Sequence, residues 1–249
     1  MSWFRYASPQ TFYPLADRLA RGFAMAAAVL AALGLYIGFV LAPTDAQQGE
    51  AYRIIFVHVP AAWMSMFIYL VMAAWAAVGL VFNARLPAMM ARALAPTGAL
   101  WGRPTWGTWW VWDARLTSEL LLLFLYMGFL ALHAAIEDPR RADRAAALLA
   151  LLGVVNVPVI YFSVKWWNTL HQGASVSLTR APTMATVMLT GMLVMALAFW
   201  MYSIAVSLWR VRVLILERER HADWAREAAG LPARASADRG HTGAQGATA

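Results

Sequence analysis

The chain has no cysteine, and only 13% of its 249 residues are charged. The absence of cysteine excludes disulfide bonds, a thiolate metal site and attachment of a cofactor through sulfur within this chain. An ordinary soluble domain has about 25% charged residues, whereas here 61% of the residues are hydrophobic. There is also no Gly-rich phosphate-binding loop and no internal repeat. This composition is typical of an integral membrane protein.

Several apolar runs reach the roughly 20 residues that a helix needs to cross about 30 Å of hydrocarbon. Five spans are predicted at about residues 23–41, 59–82, 116–136, 145–164 and 184–209. The first run is too long for a signal-peptide core and no cleavage site follows it, so we expect it to remain as an anchor. A weaker sixth candidate at residues 84–101 contains two arginines and two prolines.

Arginines cluster before the first span, between the two spans at 116–136 and 145–164, and after the last span. The positive-inside rule places all three clusters in the cytoplasm. This arrangement requires the weak candidate at 84–101 to cross as well, because the second cluster would otherwise lie outside. We therefore predict an all-α bundle of six transmembrane helices over residues 1–216, with both termini cytoplasmic. Residues 217–249 are predicted to be a polar, disordered cytoplasmic tail.

The loop after the third predicted span contains five tryptophans within twelve residues. Glycines and a proline interrupt them, so they cannot form one face of a helix or strand. They would instead make a broad aromatic surface that suits a large planar ligand, although interfacial tryptophans are more often membrane anchors. The candidate ligand-binding residues in and beside this loop are Trp101, Gly102, Arg103, Trp106, Gly107, Trp109, Trp110, Trp112, Asp113 and Arg115.

Two histidines lie near the predicted outer boundary, His58 before the second span and His171 after the fifth. Neutral imidazole is the commonest metal-ligating side chain and a frequent axial ligand of haem iron. Two imidazoles on opposite faces of a porphyrin that rests against indoles would hold haem without a covalent bond. Either histidine could equally be an ordinary hydrogen-bonding residue.

Charged residues around the same loop fit this interpretation. Arg103, Arg115, Lys165 and Arg180 could pair with haem propionates. Asp113 is expected to pair with Arg115 or to orient the loop backbone. Glu119 is a functional candidate because it is a carboxylate at the membrane boundary, but it could also interact with the first turn of its helix.

The segment from Trp101 to Glu119 resembles the signature of the haem-handling WWD membrane proteins. The sequences around His58 and His171 resemble the CcmC, or haem exporter protein C, family within them, over roughly residues 10 to 215. This resemblance implies a bacterial inner-membrane protein that displays non-covalently bound haem b on its periplasmic face, with His58 and His171 as axial ligands. It also implies delivery of haem to the chaperone CcmE, together with the CcmA/CcmB ATP-binding-cassette components and the small membrane protein CcmD.

One departure from the family pattern concerns the third span. Ala99 and Leu100 lead directly into Trp101, where about ten further apolar residues are usual. Either the helix is short and its surroundings compensate, or the tryptophan loop is displaced.

Three other functions are open. A cytochrome c synthase-type subunit that ligates haem is usually larger and has more histidines. A transporter subunit with an aromatic vestibule would have paired polar residues at mid-membrane and repeated halves, but only Asn156 and Pro158 stand out. A purely structural role is the third. The chain offers no nucleophile–base pair, so we expect a haem-delivery or transport protein rather than a self-contained enzyme.

Overall fold

The computed structural model describes residues 6–101, 112–167, 176 and 181–232, with the backbone alone for 97–101. These residues form α-helices joined by short turns and contain no strand. The helices are α1 (Pro9–Tyr36), α2 (Ile55–Phe82), α3 (Arg85–Trp101), α4 (Ala114–Ala135), α5 (Pro139–Gly153), α6 (Asn156–Trp166), α7 (Thr186–Arg218) and α8 (Asp223–Ala228). The predicted all-α class is confirmed.

Five helical segments of the described chain are long and apolar enough to cross a membrane. They are Pro9–Leu41, Glu50–Phe82, Ala114–Ala135, Pro139–Trp166 and Thr186–Arg218. Each coincides, to within two residues at the ends that it does not cover, with one of the five strong spans predicted from the sequence. The first is α1 with a π-helical turn at Ile37–Leu41, and the second is α2 preceded by a 3-10 turn at Glu50–Ile54.

The weak sixth candidate is also a helix. α3 has 17 residues, about 26 Å at 1.5 Å per residue, and it packs against α2, α4 and α7. Arg85 at its start pairs with Glu219 beyond the end of α7 at 2.7 Å. α3 therefore returns the chain to the opposite end of the bundle before α4 begins, and the predicted six-helix bundle is confirmed.

The bundle has two distinct ends. One end contains the starts of α2, α4 and α7 and the ends of α1, α3 and α6, and we call it the outer end after the topology predicted from the sequence. The arginine-rich end contains the starts of α1, α3 and α5 and the ends of α2, α4 and α7. At the arginine-rich end, Arg212 pairs with Asp17 at 2.6 Å, and Arg218 pairs with Asp143 at 2.7 Å. These ion pairs join segments that are far apart in the sequence.

The span predicted at 145–164 is broken into α5 and α6. Pro158 has no backbone N–H and its ring disfavours helix four residues earlier, which is where the chain turns at Val154 and Val155. The buried Asn156 side chain donates a hydrogen bond to the carbonyl of Ser118 at 2.9 Å. The break therefore positions an amide that holds α6 against α4.

Small residues let the helices approach closely, as is usual where lipid removes the hydrophobic drive for helix association. A Cβ on Gly38 would lie 2.6 Å from the Phe56 ring, and one on Gly191 would lie 3.0 Å from it. Phe56 is fully buried between these two glycines of the α1 end and α7. The start of α2 is thereby fixed against both helices.

Two boundaries differ from the sequence-based expectation. The second span is predicted to begin at about residue 59, but α2 begins at Ile55 because the 3-10 turn Glu50–Ile54 leads directly into it. The tail was expected to be disordered from residue 217, but α7 ends at Arg218 and α8 follows. The Trp224 ring of α8 packs edge-on against Tyr13, with 6.3 Å between centroids, and this apolar contact explains the order. Residues 233–249 lie outside the described residues.

Replacing Gly153 by Ala should destabilise the bundle. The new Cβ would lie 2.0 Å from the Tyr69 hydroxyl, and Tyr69 is fully buried, so the ring cannot move into open space. Overpacking of this kind costs about 1–3 kcal/mol. Thermal unfolding in detergent measures the loss. Gly22→Ala is the matched control, because no atom lies within 4 Å of a Cβ there; equal melting temperatures for the two variants would contradict the packing.

Candidate functional site

Four chain segments that the sequence associates with a ligand meet at the outer end. They are the start of α2 with His58, the end of α3, the start of α4, and the end of α6. Side-chain contacts join three of them: Ser65 of α2 donates to Glu119 of α4 at 3.3 Å, and Arg115 of α4 donates to the carbonyl of Ile160 of α6 at 3.4 Å. The end of α3 leads into the tryptophan loop at the same end.

His58 lies half-buried in the first turn of α2. It lies two residues after Phe56, and the ring of Phe56 packs between Gly38 and Gly191. The turn before α2 is held to the end of α1, because Arg53 donates hydrogen bonds to the carbonyls of Gly38 and Ala42. His58 is therefore placed by a rigid helix start and not by a loop.

The loop between α1 and α2 also has a fixed conformation. The carboxylate of Asp45 accepts hydrogen bonds from the backbone N–H groups of Gln47 and Gln48 at 2.9 and 2.8 Å. The hydrogen bond from the Gln48 N–H, and to a smaller extent the one from Gln47, holds the pKa of Asp45 below its ordinary value. Tyr52 donates to the carbonyl of Pro43 at 2.7 Å. Asp45 is therefore ionised at neutral pH.

The start of α4 is capped by Asp113. Its carboxylate accepts a hydrogen bond from the Leu116 backbone N–H at 2.7 Å, which satisfies one of the free donors of the first turn. Asp113 thus orients the backbone of the first turn of α4. Trp112, immediately before it, is 76% exposed, so this indole presents its surface at the outer end.

Arg115 points into the bundle. Its Nε lies 3.7 Å from Oε1 of Glu119, and the two side chains are only 18% and 12% exposed. The Arg115 guanidinium, which was predicted to be available for haem propionates, is thus paired with the Glu119 carboxylate. The i,i+4 spacing of the two residues was a usable signal for this pair.

Ser65 is a site residue that the sequence analysis did not identify. It lies two helical turns after His58 on α2 and is fully buried. Its hydroxyl donates to Glu119, and its carbonyl accepts a hydrogen bond from the Tyr126 hydroxyl at 2.7 Å. A single serine in an apolar span does not indicate such contacts in the sequence. The functional candidate Glu119 therefore connects the histidine-bearing helix to the helix that follows the tryptophan loop.

The end of α6 presents an aromatic surface towards the outer end. Trp166 and Trp167 are 58% and 53% exposed, with ring centroids 5.8 Å apart, and Lys165 beside them is exposed. The side chain of Trp101 and eight other candidates fall outside the described residues. Those eight are Gly102, Arg103, Trp106, Gly107, Trp109, Trp110, His171 and Arg180.

Comparison with known sequences identifies the family. The model of the family described as heme exporter protein C, CcmC, matches residues 2–226. The chain belongs to the heme exporter protein C family. It is 44% identical to heme exporter protein C of Escherichia coli strain K12 over 233 residues, covering 89% of this chain and 94% of the relative.

Two further members of the heme exporter protein C family are similarly close. The protein of Bradyrhizobium diazoefficiens is 45% identical over 229 residues, covering 88% of this chain and 87% of the relative. The protein of Paracoccus denitrificans is 38% identical over 239 residues, covering 91% of this chain and 99% of the relative.

The alignments support the expectation of a shortened segment in this member of the family. The Escherichia coli alignment is 233 positions long, but 89% of this 249-residue chain is only about 222 residues. About eleven aligned positions therefore have no counterpart here. This number is similar to the roughly ten residues that are expected from the sequence to be missing before Trp101.

Replacing Glu119 by Ala should lower stability by about 3 kcal/mol, because it leaves the Arg115 guanidinium largely buried without its carboxylate. For a protein of this size that corresponds to a fall in Tm of roughly 6–12 °C. The double variant Arg115→Ala/Glu119→Ala removes both charges and should lose less than the sum of the two single variants. Thermal unfolding of the four proteins tests the pair; additive losses would show that the charges do not interact.

Proposed function

We propose that the protein binds haem b at the outer end of the bundle and delivers it to the periplasmic chaperone CcmE during maturation of c-type cytochromes. His58 and His171 are the proposed axial ligands, and the tryptophan loop is the surface against which the macrocycle rests. The observation that carries this proposal is the convergence of the starts of α2 and α4 and the ends of α3 and α6 at one end. His58 lies at the start of α2, and in the sequence the tryptophan loop and His171 follow the ends of α3 and α6.

The chemistry of the described residues fits haem as a cargo. His58 supplies an imidazole on a rigid helix start, and Trp112 supplies an exposed indole. Only four positions separate Trp167 at the end of α6 from His171. Lys165 offers an exposed ammonium for a propionate, whereas Arg115 is already paired with Glu119. We therefore assign anion pairing first to Lys165 and to Arg103, and give Arg115 a positioning role.

Delivery requires a site that holds haem but also releases it. Two histidine ligands without a covalent bond satisfy both needs, because the strength of ligation depends on the iron oxidation state and on the surroundings of each ligand. The relatives are named heme exporter protein C, which agrees with this cargo. CcmA/CcmB and CcmD are the proposed membrane partners, and the bacterial inner membrane is the proposed location.

Replacing His58 or His171 by Ala should lower haem occupancy about tenfold or more, or change the low-spin visible spectrum, because each substitution removes an axial ligand. The measurement is the Soret and visible spectrum of detergent-purified protein with a haem stain. His221→Ala is the matched control, since this exposed histidine lies beyond α7 at the arginine-rich end.

Unchanged spectra in both variants would overturn the ligand assignment. A wild-type protein that lacks haem under haem-replete expression would contradict binding in this chain. In that case an insertion of about ten apolar residues after Ala99 identifies the cause. Recovered haem would assign the defect to the short α3, and continued absence would leave the aromatic residues as membrane anchors.

Delivery to CcmE should fail in the same two variants. Coexpression of each protein with CcmE, followed by a haem stain of denatured CcmE, measures covalent loading. We expect loading with the wild type and with His221→Ala, and a loss of about tenfold or more with His58→Ala and His171→Ala. Haem-bound wild type that leaves CcmE unloaded, with the other Ccm components present, would contradict delivery while preserving haem binding.

A further inference from the structure

The ion pair between Arg115 and Glu119 at the outer end is looser than the pair between Arg218 and Asp143 at the arginine-rich end. Arg115 Nε lies 3.7 Å from Glu119 Oε1, which is beyond the roughly 2.7–3.2 Å of an N–H···O hydrogen bond. Arg218, by contrast, donates to both oxygens of Asp143 at 2.7 and 2.8 Å. The outer pair is therefore held by the attraction of its charges and not by a direct hydrogen bond.

Neither member of the outer pair has a strong second partner among the described residues. Oε1 of Glu119 is buried and forms no hydrogen bond with them. Oε2 shares the single hydroxyl proton of Ser65 with the Ala62 carbonyl, which is closer to the hydroxyl at 2.8 Å than the carboxylate is at 3.3 Å. The hydrogen bond from Arg115 to the Ile160 carbonyl is long, at 3.4 Å. Arg115 therefore loses little when it changes its partner.

The two charges of the pair lie at different depths in the bundle. Arg115 belongs to the first turn of α4, and Glu119 lies four residues further along the helix, about 6 Å deeper at 1.5 Å per residue. The exposed Trp112 indole comes just before the same turn. A long arginine side chain near a helix end can extend its guanidinium towards the polar boundary. An anion at the outer end can therefore compete with Glu119 for Arg115.

We propose that Arg115 exchanges Glu119 for a carboxylate of the ligand at the outer end, and that Glu119 thereby limits how tightly this ligand is held. The inference rests on the proposed haem function, since the haem propionates are carboxylates of this kind. While the pair is closed, Arg115 holds α4 against α6. When a ligand carboxylate replaces Glu119, one ion pair forms and another is lost, so only the difference between the two stabilises the complex. Glu119 thus keeps an anionic cargo releasable.

Haem and haem dimethyl ester distinguish this exchange from a purely structural role of Glu119, because only haem has free propionates. The measurement is the dissociation constant of each compound for the detergent-purified full chain, obtained by titration of the Soret band. In Glu119→Gln no carboxylate competes for the guanidinium. We therefore expect haem to bind about tenfold to hundredfold more tightly than to the wild type, the range that a hydrogen bond to a charged group contributes. The dissociation constant of the ester should be unchanged.

The matched control is Asp45→Asn, which removes the same charge from the loop between α1 and α2 at the outer end. The hydrogen bonds to this exposed carboxylate come from the backbone N–H groups of Gln47 and Gln48, and asparagine can still accept them. Both dissociation constants should equal those of the wild type. A gain in haem affinity as large as that of Glu119→Gln would show a general effect of charge and overturn the exchange.

The double variant Arg115→Gln/Glu119→Gln tests the exchange even if the single variant does not fold, because it leaves no unpaired charge in the bundle. It should lower the preference for haem over the ester below that of the wild type, and an unchanged preference would overturn the exchange. Equal weakening of haem and ester by Glu119→Gln would also overturn it and leave Glu119 a structural role. A wild type that binds neither compound would instead contradict the proposed haem function itself.

Discussion

The position of the Phe56 ring between Gly38 and Gly191 is the constraint on which the outer end depends. In lipid the hydrophobic effect does not favour the association of one helix with another, so close van der Waals packing must stabilise it. A fully buried ring against two glycines joins α1, α2 and α7 at a single point. Because His58 follows two residues later on the same rigid helix, the fit of an apolar ring sets where the imidazole lies.

Buried polar contacts fix the positions of α4 and α6 relative to α2. Ser65, Glu119 and Arg115 connect α2, α4 and α6 through hydrogen bonds and an ion pair within the bundle. Such groups are costly in hydrocarbon unless they are paired, so their contacts allow few alternative arrangements of the helices. The start of the helix after the tryptophan loop is thus fixed relative to His58.

The sequence predicted the bundle well because hydrophobic length and arginine placement are local properties that lipid enforces directly. The capping role of Asp113 was not predicted, although an aspartate directly before an apolar helix is a common N-cap signal. The engagement of Arg115 was missed although its i,i+4 spacing to Glu119 was a usable signal, because the predicted anion site beside it offered a second partner for the same guanidinium. Ser65 was missed because its importance arises only from the neighbours that tertiary packing provides.

The third span shows most clearly why sequence can undervalue a helix. Hydropathy measures suitability for lipid, and α3 contains Arg85 and Arg92 in a short segment. Within the bundle, α2, α4 and α7 surround it, and seven of the twelve residues 85–96 are buried. Protein and not lipid surrounds α3, so small residues such as Ala91, Ala93 and Ala95 let the neighbouring helices pack closely against it, which long apolar side chains would prevent. A span that is weakest by composition can therefore be one that the bundle shields well, because neighbouring helices and not lipid supply its contacts.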